Sequence, residues 1–310
     1  MLEAISGVCH VGIVHGMAFP EVAEGEGPVL ETMEKILADP FFGAIEIGPM
    51  KDEGMRKKAA QMLASSGVDV ILAGQPPLLA GGLNLNALDK KEREKAIETC
   101  KRSADHAYEL GAQIMAVLSG PYEGPEKEKE QTELLADSLK QICAYAQEKG
   151  EDYQLAIALE TFDRDIDKKC LIGPTSEAAR VAEKVKEEFS NFGLLIDLSH
   201  QPLLREPVHE MVIQALDHLI LVHMGNCVMK DKSHPAYGDK HPRFGIPQGE
   251  NGVEQLGKFL EALFYAGYFK KNVPTRKPVI SFEVKPMAGE SSELVIANAK
   301  RTLLEAWAAV

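Results

Sequence analysis

Gly193-Leu194-Leu195-Ile196-Asp197-Leu198-Ser199-His200 reads as a short apolar strand that stops on a charge. A run of this length bounded by glycine is expected to be a buried strand. Its end carries an aspartate, with a histidine three residues later. Three other apolar runs finish the same way: 155–159 before Glu160, 219–222 before His223, and 279–282 before Glu283. Burying a single charged group is costly, so four carboxylate or imidazole groups at strand ends make sense when a cation holds them together. Two glutamates, an aspartate and a histidine form a hard, mostly oxygen donor set suited to Mn, Mg or Co, with Zn admitted by the imidazole. The expectation is a divalent-metal enzyme with Glu160, Asp197, His223 and Glu283 as ligands.

Outward from this stretch, strands are predicted at 11–14, 43–47, 68–72, 114–118, 155–160, 194–197, 219–223 and 279–283. Helices are predicted at about 28–38, 51–66, 89–110, 126–149, 175–190, 207–216, 252–266 and 292–309, with Pro76-Pro77 as a turn. Such alternation requires parallel strands joined by helical crossovers. Eight units over residues 1–310 match one α/β domain, a closed (β/α)8 TIM barrel, better than an open doubly wound sheet. A barrel demands functional residues at the C-terminal strand ends or in the loops that follow. The loop 224–252, rich in Gly, Pro, His and charge, is expected to be an ordered active-site loop. The segment 15–27 is expected over the mouth of the pocket, with His15 on the pocket side.

The formal net charge of −13 disfavours a nucleic-acid partner, because such proteins usually present a basic face. Five scattered cysteines without C-x-x-C spacing suggest neither a disulfide framework nor a zinc knuckle, and so a reducing cytoplasm. No apolar stretch approaches membrane-spanning length, and no secretory signal pattern opens the chain.

Leu159-Glu160-Thr161-Phe162, Asp197-Leu198-Ser199-His200, Leu221-Val222-His223-Met224 and Ser281-Phe282-Glu283-Val284 together resemble the xylose isomerase-like barrel superfamily. That group includes ketose 3-epimerases, hydroxypyruvate isomerases, inosose-pathway enzymes and the endonuclease IV type of abasic-site nuclease. The resemblance implies that Glu160, Asp197, His223 and Glu283 bind the metal and that Glu160 and Glu283 also act as an acid/base pair. It further implies that His200 hydrogen-bonds substrate or holds another metal, and that the protein is a homo-oligomer. Asp239-Lys240-His241 is similar to the Asp-x-His of the nuclease branch, so His200, Asp239 and His241 could hold a second ion. The nuclease branch also carries histidines at the ends of strands three and four. This chain has Gln75-Pro76 and Ser119-Gly120 there, which argues against phosphodiester cleavage.

Arg243 and Lys285 are the cations expected to face the pocket and bind a substrate carboxylate or phosphate, and Glu46 is a candidate hydrogen-bonding group. The leading expectation is a metal-dependent isomerase or epimerase of a small carbohydrate or sugar acid, working by proton transfer through an enediolate. The alternative is a decarboxylase or lyase acting on a keto-sugar acid, which Arg243 keeps open. A nuclease is the remote third.

Overall fold

The structure is a computed structural model that describes residues 2–310. Eight strands form one parallel sheet: β1 (His10–Ile13), β2 (Ala44–Ile47), β3 (Asp69–Ala73), β4 (Ile114–Leu118), β5 (Ala156–Glu160), β6 (Phe192–Asp197), β7 (Leu219–Gly225) and β8 (Val279–Glu283). Their order is β1-β8-β7-β6-β5-β4-β3-β2. The remaining seam is drawn together where Gly43 N donates to Val11 O at 2.9 Å and a parallel bridge joins Val14 to Glu46. The result is a nearly closed TIM barrel with helices around it, as the alternation of elements predicts.

Period-two alternation divides the strand residues between two cores. Ala44, Ile71, Ile114, Ala116, Ala156, Ala158, Leu195, Leu221 and Val279 fill the barrel interior. Their neighbours, such as Val70, Leu72, Ile157, Leu194 and Ile280, pack outward beneath the helices. Side chains two residues beyond an inward residue also point inward, so the pleat that buries Ala44, Ala158, Leu195 and Leu221 delivers Glu46, Glu160, Asp197 and His223 to the mouth. Register completes the alignment, since Asp197 lies opposite His223 and Gly225 opposite Glu283.

The helix ends follow local chemistry. Asp52 and Asp89 cap their helices by accepting from Met55 N at 2.6 Å and Glu92 N at 2.9 Å. Gly67, Gly111 and Gly267 end helices in the left-handed conformation that glycine adopts without strain.

Several local expectations are corrected. Pro76-Pro77 opens the helix Gln75–Ala80 instead of making a turn, because proline in a first helical turn gives up no hydrogen bond the helix would have made. A five-residue helix, His200–Leu204, begins soon after β6. The segment after β1 forms the helical turns His15–Ala18 and Pro20–Val22, with Phe19 buried between them and Met17 at the barrel mouth as expected. His15 turns away from the pocket and places Nε2 2.7 Å from Thr32 Oγ1. Among the described residues no helix is long and apolar enough to cross a membrane, and all five cysteines are free and buried.

Candidate metal centre

Four strands bring Glu160, Asp197, His223 and Glu283 together. One donor atom from each lies within 4.8 Å of every other, and all but the partly buried Glu283 are buried. His223 sits between two carboxylates, with Nδ1 2.7 Å from Glu283 Oε2 and Nε2 2.9 Å from Glu46 Oε2. Glu46 therefore fixes the plane of this imidazole from the opposite side of the seam, an outer contact of the kind that orients metal-binding histidines. Asp197 is held by its own turn, accepting from Ser199 N at 2.7 Å and from Ser199 Oγ at 2.6 Å. Gln75 Nε2 donates to Glu160 Oε2 at 2.7 Å, while Glu160 Oε1 is buried with no hydrogen-bond partner.

A second group adjoins the first. His200 Nδ1 donates to the Thr161 carbonyl at 2.8 Å, and Nε2 faces Asp239 Oδ1 at 3.1 Å, where the carboxylate favours the doubly protonated ring. His241 Nε2 reaches the same oxygen at 2.7 Å. Donor atoms of Asp197, His200 and His241 cluster closely enough to share an ion, with Asp239 joined to both imidazoles. His241 holds a left-handed backbone at φ 50°, a strained conformation for a residue with a side chain. The loop packs closely on the strand end: a Cβ at Gly225 would stand 2.8 Å from Glu283 O and 3.1 Å from His241 Nδ1, so glycine is needed there.

The charges show how strongly these groups act on one another. Burial, followed by the nearby charge of Glu283, pushes the Glu160 carboxyl up, to about 8. Glu283 is held low despite its burial, because His241 and His223 stand against it. Buried acids so close cannot all ionise unaided. The unpartnered Glu160 oxygen, the hard donor set and the spacing of the four groups fit a divalent ion, so the residues present match the metal that the strand-end pattern implies.

Above the cluster lies a cavity of about 470 Å³ whose lining includes Glu46, Gln75, Glu160, His223, Asp239, His241, Glu283 and Lys285. Lys285 follows Glu283 by two residues, and its backbone N donates to His241 O at 2.6 Å, tying the end of β8 to the long loop. Arg243, expected to face this pocket, does not line it. Its Nε donates to Glu290 at 2.7 Å instead.

Sequence reasoning missed Gln75, Phe162 and Lys168. Phe162 packs on His200, with ring centroids 4.6 Å apart. Lys168 Nζ donates to Asp239 Oδ2 at 2.7 Å and faces the cavity. The available signal was Asp163, whose carboxylate accepts from the backbone N–H groups of Ile166, Asp167 and Lys168 and so winds the loop that presents Lys168.

The model of the xylose isomerase-like TIM barrel family matches residues 35–296. The chain belongs to that family. Solved structures similar to this family member include D-psicose 3-epimerase from Clostridium cellulolyticum H10 with D-tagatose, at 18% identity and a TM-score of 0.65, covering 97% of this chain and 96% of that one. An L-ribulose 3-epimerase matches at 16% identity and a TM-score of 0.70, with 97% and 96% covered. The IolI protein with a bound zinc atom matches at 18% identity and a TM-score of 0.66, with 96% and 97% covered. No curated protein sequence matches the chain. At these identities the solved structures establish that this barrel shares their fold.

Proposed function

We propose that this protein is a divalent-metal-dependent sugar isomerase or epimerase that moves a proton beside a carbonyl through an enediolate. The observation that carries the reading is the convergence of Glu160, Asp197, His223 and Glu283 from four strands onto one buried point beneath a cavity. The epimerases of the same fold support it, since their printed names describe this class of reaction. The proposed ion, Mn, Co, Mg or Zn, would be held by those four side chains and would stabilise negative charge on neighbouring carbonyl and hydroxyl oxygens.

Every other part of the reaction belongs to the chain. Glu160 stands on β5 and Glu283 on β8, separated by β6 and β7, so the two carboxylates approach the cavity floor from different sides. One takes the proton from the carbon bearing the hydroxyl, and the other returns a proton to the enediolate. Gln75 fixes one oxygen of Glu160 by donating to it. Glu46 keeps His223 from rotating. His200, anchored by Thr161 O, and His241 are placed to hold a substrate oxygen or a second ion.

Arg243 was the main support for a decarboxylase or lyase, and its engagement with Glu290 withdraws that support. The nuclease reading needs histidines from β3 and β4. At those strand ends the cavity is lined by Ala73, Gln75 and Pro76, and Ser119 Oγ instead accepts from Ile172 N at 2.9 Å.

The test is proton exchange. Metal-loaded protein in D2O is incubated with ketoses, aldoses and their acids and followed by NMR. Deuterium entering beside the carbonyl, lost on metal removal and in both Glu160→Gln and Glu283→Gln, is the expected result. Release of carbon dioxide or water without exchange would replace this reading with a lyase.

A further inference from the structure

The two adjoining clusters at the barrel mouth differ in charge. Glu160, Asp197 and Glu283 offer the strand-end cluster three carboxylates. Asp197 lies within reach of His200 and His241 as well, but it is one of those strand-end donors, so the second cluster has a single carboxylate of its own, Asp239. Both oxygens of Asp239 are engaged. Oδ1 meets the imidazoles of His200 and His241 at 3.1 and 2.7 Å, and Oδ2 accepts from Lys168 Nζ at 2.7 Å. Asp239 is buried and the Lys168 side chain is only 23% exposed, so water and salt screen this pair weakly.

The ammonium is held there by the backbone on either side. The Asp163 carboxylate accepts from the N–H groups of Ile166, Asp167 and Lys168 and winds the loop after β5. Tyr122 N donates to Lys169 O at 2.9 Å and Leu171 N to Gly120 O at 2.8 Å, which fixes the far side of that loop to the turn after β4. Asp167 then clasps the long loop after β7, its Oδ2 accepting from Asp239 N at 3.1 Å and from Lys240 Nζ at 2.8 Å. Two neighbouring residues of one loop therefore hold Asp239, one by its backbone and the other by its carboxylate.

Imidazoles bring a metal ion no negative charge. A dication at the second cluster would meet one carboxylate whose charge Lys168 already balances, and the ammonium on the same group would repel it. Taking the four strand-end groups as a metal centre, we propose that the Lys168 ammonium serves in place of a second ion and limits the protein to one divalent ion per chain. His200 and His241 are then left to hold substrate oxygens. Paired ions clamp the attacking and leaving oxygens of a displacement, whereas one ion beside acid/base carboxylates suits proton transfer. Lys168 thus sets the ion count, and with it what the centre can do, without binding an ion itself.

The test is ion counting. Wild-type protein and Lys168 variants are stripped with a chelator, titrated calorimetrically with Zn2+, and assayed for bound zinc by elemental analysis after desalting. Wild type should saturate at one ion per chain. Lys168→Met should take up two, and adding His241→Ala to it should remove the second. Lys168→Arg, which keeps the charge, should stay at one. Two ions per wild-type chain overturn the proposal, and so does one ion per chain in Lys168→Met with a wild-type circular-dichroism spectrum. If Lys168→Met does not fold, Lys168→Gln, whose amide can still donate to Asp239 but carries no charge, is judged by the same counts. Wild-type protein that binds no ion rejects the metal centre itself and this proposal with it, a result distinct from a count of two.

Discussion

Glu46 on β2 and His223 on β7 meet across the mouth of the barrel, with Glu46 Oε2 2.9 Å from His223 Nε2. Both side chains are buried, so the contact is shielded from water and holds the imidazole with its other nitrogen toward Glu283. Glu46→Ala should lower metal affinity about 10- to 100-fold, as loss of an orienting outer contact does elsewhere. Competition against a chelator of known affinity measures this, and wild-type affinity in the variant would reduce Glu46 to a charge at the seam.

Gln75 donates to the Glu160 oxygen that faces away from His223. Removing a donor to a carboxylate favours its protonated form. Gln75→Ala should therefore move the acidic limb of the pH–rate profile to higher pH and lower kcat about tenfold, the scale of one hydrogen bond to a charged group. A profile that does not move would show that Gln75 only fills space.

At the opposite end of the barrel, Asp69 is buried between His10 Nδ1 at 2.6 Å and Arg276 Nε at 2.7 Å, joining β1, β3 and the approach to β8. Burial by itself would raise the Asp69 carboxyl, but its hydrogen bonds to His10 and Arg276 outweigh burial and hold it below the usual aspartate range. A carboxylate held low when folded stabilises the protein above its unfolded pKa of about 3.9 and loses that contribution as pH falls through the folded value. Asp69→Asn should cost about 1–3 kcal/mol near neutral pH. In denaturant melts across pH, the gap to wild type should narrow only at acid pH, and a constant gap would exclude the ionised carboxylate as its source.

Arg243 and Glu290 form a half-exposed pair outside the cavity. Such a pair contributes about 0–1 kcal/mol. Arg243→Ala should keep its metal content and turnover and melt slightly earlier. A large fall in turnover would return Arg243 to the substrate.

The barrel and its four strand-end groups were legible because both depend on local order. An apolar run of five residues defines a strand, its pleat sets which side chains face inward, and the residue ending it must lie at the barrel mouth. Glu46 followed from the same rule. Gln75 was hidden by reading Pro76-Pro77 as a turn when it opens a helix, and Lys168 by a loop whose path depends on the Asp163 carboxylate. Arg243 was misplaced for a similar reason. Its side chain is held by Glu290, 47 residues away in sequence, which is not visible in the stretch around it.

The order of residues alone determined eight βα units, the alternation of inward and outward side chains, and a carboxylate or imidazole at the ends of the last four strands. Only the tertiary structure decided how those ends combine: Glu46 with His223, Gln75 with Glu160, and Lys168 with Asp239. The reason is physical. A pleat repeats every two residues and can be read from neighbours, whereas the position of a loop side chain is fixed by hydrogen bonds and contacts with groups far away along the chain, which exist only once the barrel has closed.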